Sequence, residues 1–331
     1  MSLRDLFQTP APDVAVEIDH AHVAAARVGW RSAQAVVTAH ASEALPPGAV
    51  TPGLAALNMP DVPVVAQAVS RVLAQLGGKP SRVSLIVPDT VAKVSLLKLE
   101  KVPPRSADLQ EIVRWQMRKT SPFPVDQAAL SISPGARGAD GSSEFVVAMA
   151  RADVIHQYEQ ACLMAGAHAG VVDLSTFGVI NTILAGAAAP ARDTAASGST
   201  GAAPSVDWLL VHVTGTYLTL AVMRGDALLF FRNRGDEGDG TLADLIHQTA
   251  MYYEDRLNGA GFARVMIAGS ALLQGEADRL RRGLEERLRV SVEPVDPRAA
   301  AGLQDRIGAS AELLDVLAPL VGMLLRERQA A

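Results

Sequence analysis

The chain has 331 residues, 49% of them hydrophobic, which is enough to build more than one buried core, so two lobes are expected. A formal net charge of −5 and only 4% aromatic residues supply neither a basic patch for phosphate backbones nor a stacking platform for bases, which argues against a nucleic-acid partner. The single cysteine, Cys162, excludes an internal disulfide and a multi-thiolate metal site; with no secretory signal and no apolar run of about 18 residues, the chain reads as soluble and cytoplasmic.

In chain order, PDVAVEIDHAHVAAARV reads as two short apolar strands around a turn at His20 to His22. VVAQAVSRVLAQLGG then reads as a helix stopped by Gly77 and Gly78, and RVSLIVPD as a buried strand. VAKVSLLKLE is a strand, followed by a helix through SADLQEIVRWQMRK that Ser106 is expected to cap. The apolar face of that helix is Leu109, Ile112, Val113 and Met117, with Asp108 and Glu111 suited to its first turn and Trp115 off the stripe. AALSISP and EFVVAMA are strands around the turn PGARGADGSS, ADVIHQYEQACLMAGA is a helix ended by Gly166, and AGVVDLS is a further strand. Residues 91–174 thus order as β, α, β, β, α, β, a ferredoxin-like module. Cys162 falls on or beside the buried stripe of Ile155, Tyr158, Ala161 and Ala165, where a thiol is a packing residue.

After the helix TFGVINTILAG, residues 187–205 are almost entirely Ala, Gly, Ser, Thr and Pro, a composition expected of a flexible linker between lobes. A second pattern of hairpin, helix and strand follows: DWLLVHVTGTYLTLAVMRGD, then TLADLIHQTAMYYEDRL capped by Thr241, the buried strand ARVMIAG, the helix GEADRLRRGLEERL, the short strand VSVEPV and a last helix AELLDVLAPLVGMLLRE. Two lobes that each open with a hairpin suggest a duplicated α/β fold.

These blocks, in this order, resemble the PilM family of type IV pilus assembly proteins, related to the cell-division protein FtsA. LFQTPAPDVAVEID resembles the family's opening strand, and VPDTVAKVSLLKLEKVP with WQMRKTSPFPVDQAALSI its inserted subdomain. FVVAMARADVIHQYEQACLMAGAHAGVVDLSTFGVINTIL, TAMYYEDRL, ARVMIAGSALL and LAPLVGMLLRE resemble later family blocks. The resemblance implies an α/β actin-like fold, a duplicated ribonuclease H-like pair of lobes. Residues 1–90, with 175–186 returning, form the first lobe; residues 91–174 form the ferredoxin-like insertion; residues 206–331 form a reduced second lobe.

The resemblance also implies where a nucleotide site would stand: two hairpin turns whose amides face polyphosphate, with an Asp in each lobe to manage magnesium and water. Asp19 stands at the first acid position, but Ala21 and His22 replace the small-residue run. By register His212 takes the place of the second Asp and Thr214 that of a Gly, with Gly215 one place late; an imidazole does not replace a carboxylate at Mg²⁺. Gly269 of the adenosine loop is kept, with Ser270 where a second Gly is expected, and only DEGDGT spans the place of a helical subdomain. Asp19, Thr214, Gly215, Gly269 and Ser270 are therefore remnants of a cofactor site, and no ATP hydrolysis, no cofactor beyond weak ATP binding and no metal is expected. His20 and His22 lack a third ligand, GKP at 78–80 is not a P-loop, and Asp89, Glu111 and Asp173 read as caps or solvated faces. The implied role is a scaffold that binds the N-terminal peptide of a PilN-like inner-membrane protein between first lobe and insertion, with Leu96, Leu97, Leu99 and Trp115 as candidate contacts and self-association left open. An active actin-like ATPase, or a type II secretion platform protein, for which a following membrane helix is expected, are the alternatives.

Overall fold

The computed structural model describes residues 11–32, 34–78, 80–138, 140–188, 207–235, 242–273, 277–304 and 307–330. The expectations for the first ten residues, for the linker from residue 189 onward, for DEGDGT and for the Thr241 cap lie outside them.

The first sheet grows from an antiparallel meander of β1 (Val14–Ile18), β2 (His22–Arg31) and β3 (Gln34–Ala44), the last of which the sequence reading passed over. After α1 (Val62–Gln75), strand β4 (Arg82–Val87) pairs in parallel with β1. The period of two decides what each face covers. Val14, Val16 and Ile18 pack with Val23, Val65 and Leu85 in one core, while Ala15 joins Ala24, Ala26 and Ile86 on the opposite face.

The chain then leaves this sheet for β5 (Ala92–Leu99), α2 (Ser106–Met117), β6 (Ala128–Arg137) and β7 (Ser143–Arg151), an antiparallel sheet in the order β5-β7-β6. Val113 and Met117 of α2 bury against Phe145, Val147 and Met149 on one face of that sheet. Ser106 is not the cap of α2. It is the first helical residue, the extended Arg105 precedes it without a side-chain cap, and an Arg105–Asp108 ion pair of 2.9 Å holds the first turn.

Next come α3 (Ala152–Met164), β8 (His168–Leu174) and α4 (Ser175–Ala188). The strand expected to complete a four-stranded insertion is β8, and it pairs in parallel with β4 instead, at the edge of the first sheet. The reason is α3: Val154, Tyr158, Ala161 and Cys162 bury in the core beneath α1, which returns the chain to β4. Cys162 is thus a packing residue, and burial pushes its thiol up to about 12.

The second lobe comprises β9 (Asp207–Val213), β10 (Tyr217–Arg224), β11 (Ala227–Gly235), α5 (Leu242–Leu257), β12 (Arg264–Ala268), α6 (Ala277–Leu288) and β13 (Val292–Pro294). Its strand order, β11-β10-β9-β12-β13, repeats the order β3-β2-β1-β4-β8, with two antiparallel pairings followed by two parallel ones in each.

The expectation that residues 206–331 all belong to the second lobe fails at its end. Strand β14 (Gly302–Leu303) pairs with β3, and α7 (Ala311–Ala330) lies on the first sheet. Leu317, Leu320, Val321, Met323 and Leu324 of α7 are all buried, and the alanines of β1 and β2 leave a flat sheet face that accepts so apolar a helix. Among the described residues no helix is long and apolar enough to cross a membrane.

Candidate functional site

The cleft between the lobes is bounded by the β1–β2 turn, the β9–β10 turn and the loop after β12. In the second turn the hydroxyl of Thr214 accepts hydrogen bonds from the backbone N–H of Thr216 (3.4 Å) and Tyr217 (3.0 Å), and donates to the Tyr217 carbonyl (2.9 Å). Amides that could face an anion are therefore spent on the turn's own side chain. Opposite them the imidazole of His20 lies against Gly215 so closely that a Cβ there would fall 2.6 Å from its Cε1. After β12, the Asp315 carboxylate accepts from the N–H of Gly269 (2.9 Å) and of Ala271 (2.8 Å).

Behind the turns lies a buried polar network that bridges the lobes. Asp89 has 0% exposure and accepts from the Thr176 backbone N–H (3.0 Å), the Thr176 hydroxyl and the Thr219 hydroxyl (2.6 Å). Because the Thr176 proton is spent on Asp89, the 2.7 Å contact between Thr176 Oγ1 and His212 Nδ1 requires that His212 donates. Burial depresses the pKa of His212, against the pull of Asp89, Asp315 and Asp19, so its imidazole is neutral at neutral pH. Nearby, Ser175 Oγ donates to Glu17 (2.7 Å), whose pKa burial pushes up to about 8, the charges of Asp19 and Asp89 adding to the rise.

Burial opposes the charge of Asp19, yet its hydrogen bond with His20 (3.1 Å) and the nearby imidazole charges hold its pKa below the usual carboxylate value. Asp19 Oδ1, His22 Nε2 and Thr216 Oγ1 are buried without a hydrogen-bond partner among the described residues. A magnesium-bound polyphosphate does not fit these residues. The Thr216 and Tyr217 amides are taken by Thr214 and those of Gly269 and Ala271 by Asp315, the His20 imidazole lies against Gly215, and His212 presents a neutral ring rather than a carboxylate.

A second site lies on the other side of α4. A cavity of about 550 Å³ opens between the first sheet, the insertion and the β10–β11 hairpin. Consecutive residues of β8, Val171 to Leu174, and of β6, Ala129 to Ser131, line it, so it meets both strands edge-on; each is the last strand of its sheet. From β7 only alternate residues, Val146, Ala148 and Ala150, reach it, so that strand is met face-on, on the side away from α2. Phe177, Ile180, Asn181 and Leu184 of α4 form the floor, and Met223, Asp226, Ala227 and Leu228 border it from the second lobe. Its main polar feature is the ion pair of Asp173 with Arg326. Burial raises the Asp173 pKa, opposed by the Arg326 charge and the Leu174 N–H.

A family model for the type IV pilus assembly protein PilM matches residues 15–260. The chain belongs to the PilM family. Among solved structures it is similar to a PilM–PilN type IV pilus biogenesis complex at 19% identity, with a TM-score of 0.76 over 96% of this chain and 99% of that one. It is also similar to a Bacteroides thetaiotaomicron protein with an actin-like ATPase fold (8% identity, TM-score 0.48, 94% and 96% covered) and to the cytoplasmic domain of EpsL, an inner-membrane component of the type II secretion system of Vibrio cholerae (8%, 0.47, 96% and 94%). No curated protein matches its sequence. This PilM-family chain has a two-lobed α/β fold with mixed sheets, the fold it shares with the PilM–PilN complex structure.

In this PilM-family structure Asp19, Thr214, Gly215 and Gly269 do meet at one cleft, and Ser270 lies in the same loop as Gly269 and Ala271. The candidate contacts do not share a site. Leu99 is 7% exposed in the insertion's core and Leu97 packs against that core, while Leu96 points to the opposite face, among Val94, Val146 and Phe231. Trp115 is 59% exposed, under Lys119 Nζ at 4.8 Å, on the helix that covers the far face of the sheet from the cavity. Asp89 and Asp173 are not solvated faces. Asp89 is buried and Asp173 partly buried, and only Glu111 is exposed as expected. Arg326, Asn181, Thr176 and Asp315 were missed; three of the four are polar residues inside apolar helices, TFGVINTIL and LAPLVGMLLRE, and that interruption was the available signal.

Proposed function

We propose that this protein is a non-catalytic adaptor of a type IV pilus inner-membrane assembly platform. It works in the cytoplasm and is held at the membrane by a PilN-like single-pass protein, whose N-terminal segment lies in the groove between β8 and β6. The observation that carries this reading is a cavity of mixed lining that faces two strand edges paired with no further strand among the described residues. An extended segment there gains backbone hydrogen bonds along an edge and sets alternate side chains among Val87, Val146, Phe177 and Ile180. That mode needs no nucleotide and no catalysis, in keeping with the self-filled cleft. The fold likeness to a PilM–PilN complex supports the choice of partner.

The finer architecture belongs to the same reading. The repeated strand order supports a duplicated ribonuclease H-like pair of lobes. Residues 92–151 are the insertion, a ferredoxin-like unit reduced to three strands. Residues 11–91, 152–188 and 302–330 form one lobe, and residues 207–301 the other.

Calorimetric titration with a synthetic peptide of the N-terminal cytoplasmic segment of the PilN-type protein from the same organism tests the function. Saturable binding is expected to the wild type and not to Ala148→Trp, whose ring fills the cavity from β7. Equal binding to both proteins would place the segment elsewhere.

A further inference from the structure

The cleft and the groove are joined by one pair of helices. α4 begins in the cleft, where Ser175 bonds Glu17 and Thr176 bonds Asp89 and His212, and its next turns carry Phe177, Ile180, Asn181 and Leu184 into the groove wall. α7 also touches both sites: Asp315 holds the Gly269 loop in the cleft, and Arg326 pairs with Asp173 at the groove. Eleven residues of helix put these two ends about 16 Å apart. The helices are fastened between them. Gly178 sits against the backbone of Pro319, Gly322 against the Gly178 carbonyl, and the Thr182 hydroxyl donates to the Ala318 carbonyl (2.5 Å). A Cβ at either glycine would collide with the facing backbone, so neither helix can slide without carrying the other.

We infer that the buried network of the old nucleotide cleft positions the peptide groove, with Asp89, Thr176, His212, Thr219 and Asp315 as positioning residues that act through the α4–α7 pair. The inference rests on the groove being the peptide site. None of these five residues lines the groove. They hold the two lobes at one separation, and that separation sets how far the β10–β11 hairpin, with Met223 and Asp226, stands from β8 and β6. A network built from backbone and side-chain hydrogen bonds then performs internally the lobe-setting that a bound ligand would otherwise perform from outside. Coupling of this kind is reciprocal, so a peptide in the groove must in turn alter the cleft.

The test uses the full chain and the same PilN-type peptide. Thr219→Val removes one hydroxyl donor from Asp89 at nearly constant volume, and Asp315→Asn weakens the hold on the Gly269 loop. Each variant that keeps a cooperative unfolding transition is titrated, and the His212 ring signals of the wild type are followed by NMR with and without peptide. The expected result is a five- to twentyfold rise in Kd for the folded variants, together with a peptide-dependent shift of the His212 signals, which a purely structural role would not produce. Should a variant fail to fold, the wild-type His212 shift decides alone. Wild-type affinity in folded variants with His212 unmoved overturns the coupling and leaves the groove assignment standing. Absence of peptide binding to the wild type overturns the groove assignment and the coupling with it.

Discussion

Glu17→Gln is the substitution whose outcome depends most directly on the buried cleft. The Glu17 side chain accepts from Ser175 Oγ at 2.7 Å, is 8% exposed, and has a pKa raised from 4.5 to about 8. A carboxyl with a raised pKa holds a proton in the folded protein that the unfolded chain releases, so stability is fully present below about pH 4.5 and falls as pH rises. The loss approaches 1.4 kcal/mol per pH unit, roughly 4 kcal/mol between pH 5 and pH 8.5, and then levels off. Gln keeps an acceptor for Ser175 and has no proton to lose. Its amide N–H groups add a pH-independent cost of about 1–3 kcal/mol where they find no acceptor. Urea unfolding followed by circular dichroism at pH 5, 7 and 8.5 should show the variant gaining on the wild type by roughly 4 kcal/mol across that range. Parallel profiles for the two proteins would mean that Glu17 titrates normally and that the cleft is wetter than its packing implies.

Calorimetry with Mg-ATP should show no binding in the low micromolar range, about −8 kcal/mol, because the Thr214 hydroxyl, His20 and Asp315 already take the groups a polyphosphate would need. Tight binding would show that these side chains swing aside at little cost. Gly322→Ala should destabilise by roughly 1–3 kcal/mol or more in the same urea assay, since its Cβ meets the Gly178 carbonyl and the Thr182 backbone rather than a flexible side chain. A neutral effect would show that α4 and α7 part freely, and would also remove the strut through which cleft and groove communicate.

The elements were legible where local pattern and tertiary role agree. β1, α1 and β4 carry their own period, and the order of blocks along the chain was enough to place the family. What the sequence left open was allocation. β8 and α3 read naturally as the end of a βαββαβ unit, because that order is the same whether the last strand joins β5 or β4; only the burial of Tyr158 and Cys162 beneath α1 distinguishes the two. α7 follows the second lobe in sequence and packs on the first, a choice made by the small alanine face of β1 and β2 rather than by anything in the helix itself. At the cleft, the departures at Ala21, His22, His212 and Thr214 were visible as losses. That they are also gains, a turn closed on its own hydroxyl and a lobe bridge through Asp89, depended on three segments meeting from positions 89, 176 and 212. Trp115 shows the converse: its exposure was readable from helical spacing, whereas the side of the sheet on which α2 lies was not.

The return of α7 to the first sheet has a consequence for how the protein is made. The face formed by Ala15, Ala24, Ala26, Val37 and Ile86 is made early in synthesis, but its cover, α7, is made only after the whole of the insertion and the second lobe. At about 5–20 residues per second, the stretch between β4 and α7 takes roughly ten seconds or longer to translate, and throughout that interval the nascent chain carries a bare apolar sheet. A nascent chain in that state is expected to be a client for a chaperone that shields flat hydrophobic surface, and truncation before residue 311 is expected to leave the first lobe without its cover.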